Sequence, residues 1–301
     1  MFRKGALMPR FGTVLTAMVT PFSPDGSLNL AAAGELAKYL VANGNDGLVV
    51  AGTTGESATI TIEEQIDLIS AVREAVPGVP LIAGAGSNNT AVALNNIEKI
   101  SGLGVDGLLL VTPYYNKPSQ LGMEAHFKTL AASTDLPIML YDVPGRTGKA
   151  MTPEVLFRLA DIDNIVAYKD ANGDAALTGR LVAGFGDRVE IYCGDNDLTL
   201  PFLSVGAVGL VGVATHWAGK EMSEMITAFR AGELDRAIEI NKSLQPSYDY
   251  WSSEDAPSPI PSKVMMKELG IDCGDARPPI GFAPDGLDAD AREVLAGLGR
   301  S

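Results

Sequence analysis

Gly107-Leu108-Leu109-Leu110-Val111-Thr112-Pro113-Tyr114-Tyr115 is an apolar run that stops abruptly on polar and aromatic residues, and its reading decides the fold. Near-continuous apolarity over this length is required of a strand covered on both faces by helices. Seven more runs of the same kind lie along the chain, at 14–19, 47–51, 81–84, 138–143, 165–169, 189–193 and 208–213. Amphipathic stretches separate them. The stretch 27–43 opens on Ser27 as a cap-like residue, and 61–76 opens on Thr61-Ile62-Glu63-Glu64, a capping-box spacing ahead of Ile66, Leu68, Ile69 and Val72. Further helices are expected at 88–102, 120–134, 152–160, 174–184, 195–204 and 221–231. Strand starts fall 19 to 34 residues apart, one βα unit each. Eight consecutive units predict an α/β chain closed into a (β/α)₈ TIM barrel, since an open doubly wound sheet usually has five or six strands.

Beyond position 229 the strand pattern ends, and 233–243, 261–269 and 287–298 read as three more helices. The expected organisation is a barrel over 1–231 that carries the active site, followed by a small C-terminal helical domain over 232–301. The segment 248–261, with Ser252-Ser253-Glu254-Asp255 and several prolines, has linker composition, although Tyr250 and Trp251 suggest that part of it packs.

Composition narrows the function. The 301 residues include 23 lysine plus arginine against 37 aspartate plus glutamate, a net charge of −14 that repels a polyanion and argues against nucleic acid as partner. Cys193 and Cys273 are the only cysteines, so neither a disulfide framework nor a Cys-x-x-Cys knuckle can form, which fits a reducing cytoplasm. The start Met1-Phe2-Arg3-Lys4 has the charge of a targeting n-region, but Arg10 interrupts the stretch after it, and no apolar run reaches the roughly 18–20 residues that span a bilayer. No targeting or membrane segment is expected. With His126 and His216 as the only histidines, a three-histidine zinc site is excluded.

In such a barrel the chemistry lies at the C-terminal ends of the strands. The second run ends in Gly52-Thr53-Thr54-Gly55-Glu56-Ser57, either a capped turn or a cradle of hydroxyls and N–H groups for a carboxylate. The fourth ends in Thr112-Pro113-Tyr114-Tyr115 and the fifth in Tyr141-Asp142-Val143-Pro144-Gly145-Arg146. Phenols gathered near one mouth can move protons without an imidazole. Arg146 has the planar fork that captures a carboxylate through two hydrogen bonds, or it pairs with a surface acid. The sixth run carries Lys169 at its apolar end, where desolvation lowers an amine's pKa from about 10.4. A lysine so placed is either ion-paired, with Asp170 as the nearest acid in sequence, or an amine nucleophile toward a carbonyl. The glycines of Gly84-Ala85-Gly86-Ser87-Asn88-Asn89 lack the third small residue of a dinucleotide fingerprint.

Together, Gly52-Thr53-Thr54-Gly55-Glu56-Ser57, Val111-Thr112-Pro113-Tyr114-Tyr115, Leu140-Tyr141-Asp142-Val143-Pro144-Gly145-Arg146-Thr147-Gly148 and Tyr168-Lys169-Asp170 resemble the dihydrodipicolinate synthase family. The resemblance extends from about Phe11 into the tail, where Pro259-Ile260-Pro261-Ser262-Lys263 also matches. It implies that Lys169 forms a Schiff base with pyruvate and that Tyr141 donates and accepts protons. It further implies that Thr54 binds the pyruvate carboxylate and that Thr53 links the hydroxyls of Tyr141 and Tyr115, the latter reaching a neighbour's site across a dimer interface. By the same match, Val211 and Gly194 present backbone to the substrate pocket, and Arg146 takes the carboxylate of aspartate semialdehyde. A homotetramer built as a dimer of dimers is implied, with no cofactor and no metal, since the imine is itself the electron sink. Lysine-inhibited members hold lysine with an acid and two histidines, and the matching positions here are Val92, Ile62 and Gln65. Ser57, Ala58, Asn88 and Tyr114 are retained from that site. Asp142 stands where asparagine is common, Gly145 where serine is frequent, and Ser258 and Ser262 replace asparagine and valine.

Two other functions compete with the condensation of pyruvate and aspartate semialdehyde. One is another pyruvate-dependent aldolase, acting on keto-deoxy-sugar acids or N-acetylneuraminate, against which Arg146 argues. The other is a non-catalytic small-molecule sensor, which has no need of the lysine or the tyrosines.

Overall fold

The computed structural model describes residues 8–251 and 253–300, so the charged start Met1-Phe2-Arg3-Lys4 and Ser252 lie outside the described residues. Eight parallel strands close into a barrel in sequence order. They are β1 (Val14–Ala17), β2 (Gly47–Val50), β3 (Leu81–Gly84), β4 (Gly107–Val111), β5 (Ile138–Asp142), β6 (Ile165–Asp170), β7 (Glu190–Cys193) and β8 (Gly209–Gly212). Each falls within or one residue beyond its apolar run, because burial on both faces leaves little room for a polar side chain except at strand ends. Among the described residues, no helix is long and apolar enough to cross a membrane.

The chain divides into two compact units, one holding the described residues up to Pro80 together with those from Gly212 onward, the other Leu81–Val211. Within Leu81–Val211, Ala83 pairs with Leu108, Leu110 with Leu140, Tyr141 with Lys169, and Lys169 with Tyr192. Helix Thr90–Ser101 buries Ala93, Ile97 and Ile100, the stripe its periodicity predicts, and starts on Asn89, whose side chain accepts from the Ala91 amide.

In the other unit, helix Ile62–Ala75 begins with the expected capping box of Thr61 and Glu64. Helix Leu30–Ala42 corrects the expectation at Ser27. Its cap is Asn29, which accepts from the Ala32 amide, while the Ser27 hydroxyl donates to Asp25 in a preceding turn. Helix Thr215–Ala231 starts six residues before its predicted onset and kinks at Ala218. Gly219 follows the kink because a Cβ there would stand 2.4 Å from the Asn43 carbonyl. Helices Leu234–Ser243, Ile260–Glu268 and Leu287–Gly297 form the C-terminal helices. Part of the linker-like segment is a helix, Gln245–Tyr250, that buries Tyr248 and Tyr250, whose hydroxyl donates to the Pro261 carbonyl at 3.2 Å. The other short helix that periodicity missed is Pro144–Thr147; both are too short for periodicity to register.

Candidate active site

Lys169 occupies the next-to-last position of β6, in register with Tyr141 on β5, so the two side chains share one face. Both are buried, and the Lys169 Nζ lies 4.2 Å from the centre of the Tyr141 ring. Among the described residues Lys169 has no salt-bridge partner. Asp170 is excluded by its own contacts. Its Oδ1 accepts from the backbone and side-chain nitrogens of Asn172 at 3.0 Å, and its Oδ2 from the Thr178 hydroxyl at 2.7 Å. The ion-paired reading of Lys169 is therefore removed for that acid.

Burial pulls the Lys169 amine down to about 8, with Arg146 acting in the same direction and Asp195 and Cys193 opposing. Against an ordinary lysine, the neutral fraction at pH 7 rises from well under one in a thousand to about one in ten. Asp195, half-buried just after β7, is itself raised to about 6 by burial, an effect that Lys169 moderates. Sequence reading passed over Asp195, and its signal is its place two residues after β7, in Cys193-Gly194-Asp195-Asn196.

Gly194 donates its N–H to the Asp170 carbonyl at 2.7 Å, and a Cβ there would stand 2.7 Å from that of Ala171, so only glycine fits at this position. Val211 is fully buried within β8. Arg146 is exposed on the turn Pro144–Thr147 that follows β5, without a salt bridge among the described residues. Tyr115 follows β4 in the left-handed region at φ 71° and is 89% exposed, without a side-chain hydrogen bond among the described residues. In the turn after β2, Thr54 is buried and Thr53 exposed, with the Thr53 carbonyl accepting from the Glu56 amide at 3.0 Å.

A closed (β/α)₈ barrel that ends β6 in a buried amine beside a tyrosine defines a Schiff-base-forming lyase. Residues 10–295 match the model of the dihydrodipicolinate synthetase family, and the chain belongs to that family. It is 47% identical over 290 residues to 4-hydroxy-tetrahydrodipicolinate synthase of Microcystis aeruginosa, covering 96% of this chain and 97% of the relative. Dihydrodipicolinate synthase of Bacillus anthracis superposes with a TM-score of 0.92 at 44% identity, over 96% of this chain and 99% of that one. The enzyme of Cyanidioschyzon merolae, solved with lysine bound, gives 0.93 at 40% identity, over 97% and 99%.

Proposed function

We propose that this chain condenses pyruvate with L-aspartate 4-semialdehyde to 4-hydroxy-tetrahydrodipicolinate, on the route to diaminopimelate and lysine. The observation that carries this reading is the buried amine of Lys169, without a salt bridge among the described residues, beside Tyr141. The Nζ lone pair adds to C2 of pyruvate, the carbonyl oxygen leaves as water, and the protonated imine draws electrons so that a methyl proton is lost. The enamine carbon attacks the aldehyde carbon, whose oxygen takes a proton. The semialdehyde's own amine then attacks the imine carbon, closing the ring and releasing Lys169.

In this reading Tyr141 hands protons to and from the reacting atoms, through a relay in which Thr53 joins its hydroxyl to that of Tyr115. Thr54 binds the pyruvate carboxylate by hydroxyl and N–H, Gly194 and Val211 offer backbone, and Arg146 receives the semialdehyde carboxylate. The exposure of Tyr115 suits a side chain that serves a neighbouring subunit, and the assembly is a homotetramer of two tight dimers. The division of the chain at 231/232 into an active-site barrel and a helical appendage belongs to the same reading. The enzyme works in the cytoplasm, where buried Cys193 and Cys273 stay as thiols.

Borohydride reduction in the presence of pyruvate, with peptide mapping of the product, tests the reading. One stable adduct per chain on Lys169, absent in Lys169→Ala, is expected, and an adduct chiefly on another lysine overturns it. Turnover with the semialdehyde should exceed cleavage of keto-deoxy-sugar acids in parallel assays.

A further inference from the structure

The turn Gly52–Ser57 is held from outside the barrel strands. Glu56 sits in the left-handed region at φ 57°, unfavourable for a residue with a Cβ, and its carboxylate is completely buried. Oε1 lies 2.7 Å from the ammonium of Lys263, itself 4% exposed, and Oε2 accepts from the Arg277 amide at 2.8 Å. Lys263 also donates to the Asp275 carbonyl at 3.0 Å, and its ammonium lies 4.3 Å from the centre of the Phe22 ring. The Arg277 guanidinium stacks on the same ring at 4.3 Å and donates to the carbonyls of Gly26 and Thr59 and to Glu64.

From that anchor the turn closes on itself. The Glu56 amide donates to Thr53 O at 3.0 Å and the Ser57 amide to Gly52 O at 3.2 Å, while the Thr20 hydroxyl donates to Gly55 O at 2.6 Å. At Gly55 a Cβ would stand 3.0 Å from the Met18 carbonyl, so the turn has no room to shift toward β1. A buried ion pair is a poor source of net stability, because well-packed apolar residues of the same shape serve as well. Its directional fit fixes one arrangement of the backbone.

We propose that Lys263 and Arg277 are positioning residues. Acting through Glu56, they hold Thr53-Thr54 in the geometry that receives the pyruvate carboxylate. This rests on the role given to Thr54 above. Loosening the anchor costs pyruvate binding through Thr54 and, through Thr53, part of the proton relay, while Lys169 and Tyr141, on other strands, keep their places.

Lys263→Met, confirmed as folded by its circular dichroism, is expected to raise the pyruvate KM about tenfold or more, by a larger factor than the fall in kcat that displacing Thr53 brings. The pyruvate concentration for half-maximal borohydride trapping should rise in step. If the single variant does not fold because Glu56 is left uncompensated, Glu56→Gln with Lys263→Met removes both charges and should show the same shift. Pyruvate dependence equal to that of the unaltered enzyme in a folded variant, or in the double variant, overturns the proposal. So does a fall in kcat with KM unchanged. Failure of the unaltered protein to trap pyruvate at all overturns instead the reading on which the proposal rests, and the proposal with it.

Discussion

The carboxylate of Asp142 accepts a hydrogen bond from the Met151 amide at 2.8 Å and so ties the end of β5 to the far side of the turn that carries Arg146. The Thr112 hydroxyl lies 3.1 Å from its other oxygen and 3.0 Å from the Tyr141 carbonyl, and one hydroxyl proton cannot fully serve both. A protonated Asp142 resolves this by donating to Thr112, which then donates to Tyr141 O. Asparagine at this position would do the same through its amide nitrogen.

Asp142→Asn should therefore stabilise the protein at neutral pH. Burial raises Asp142 to about 6, above its unfolded value of about 3.9, so the folded state binds the extra proton and stability falls as pH rises between those values. The ionised form at pH 7 costs on the order of 3 kcal/mol. Melting curves should show a higher Tm for the variant at pH 7–8 and none of that advantage near pH 4. Equal Tm values at both ends would mean that Asp142 is not a strained acid.

The pyruvate kcat/KM should rise with pH and level off above about 8, because imine formation uses the neutral Lys169 amine, which exists above that value. Asp195 favours the ammonium, so Asp195→Asn should move the rise to lower pH. A profile flat from pH 6 to 9 contradicts the nucleophile assignment.

Tyr141→Phe and Thr53→Val should cut kcat by roughly 10²–10⁴ with little change in pyruvate binding, since a proton relay acts in the transition state. Arg146→Ala should instead raise the KM for the semialdehyde. An unchanged kcat/KM for that substrate removes the main support for its identity.

Light scattering should give a tetramer, and Tyr115→Phe should reduce kcat without dissociating it. A fully active monomer would mean that Tyr115 serves its own barrel or no proton transfer at all.

Added lysine should inhibit weakly or not at all. Val92 is a half-exposed apolar residue, and by the resemblance it stands where lysine-inhibited members carry an acid, with Ile62 and Gln65 in place of their histidines. Glu56, the acid within the retained turn, is consumed by Lys263 and the Arg277 amide. An ammonium desolvated without a carboxylate loses several kcal/mol, and about 1.4 kcal/mol is already tenfold in affinity. Half-inhibition at submillimolar lysine in the condensation assay would overturn this.

The barrel was legible because its signal is local: a run such as 107–112 is apolar wherever it pairs, and a repeat of one βα unit admits few topologies. The positions of Lys169 and Tyr141 near strand ends were legible for the same reason, whereas Arg146 lies on the short turn after β5. Ser27 misled as a cap because serine and asparagine serve equally at a helix start, and only the backbone path selects Asn29.

The sequence by itself determined the eight-unit alternation, the apolar strands and the reactive residues that end them, because periodicity and burial act between near neighbours in the chain. Only the tertiary structure decided that Asp170 belongs to Asn172 and Thr178 rather than to Lys169, that Asp195 bears on the amine, and that Glu56 is gripped by Lys263 and Arg277. Charge pairing and desolvation depend on distance and burial in space: Arg277 meets Glu56 across 221 positions of chain, and even the nearby Asn172 and Thr178 reach Asp170 only through the path the backbone takes after β6.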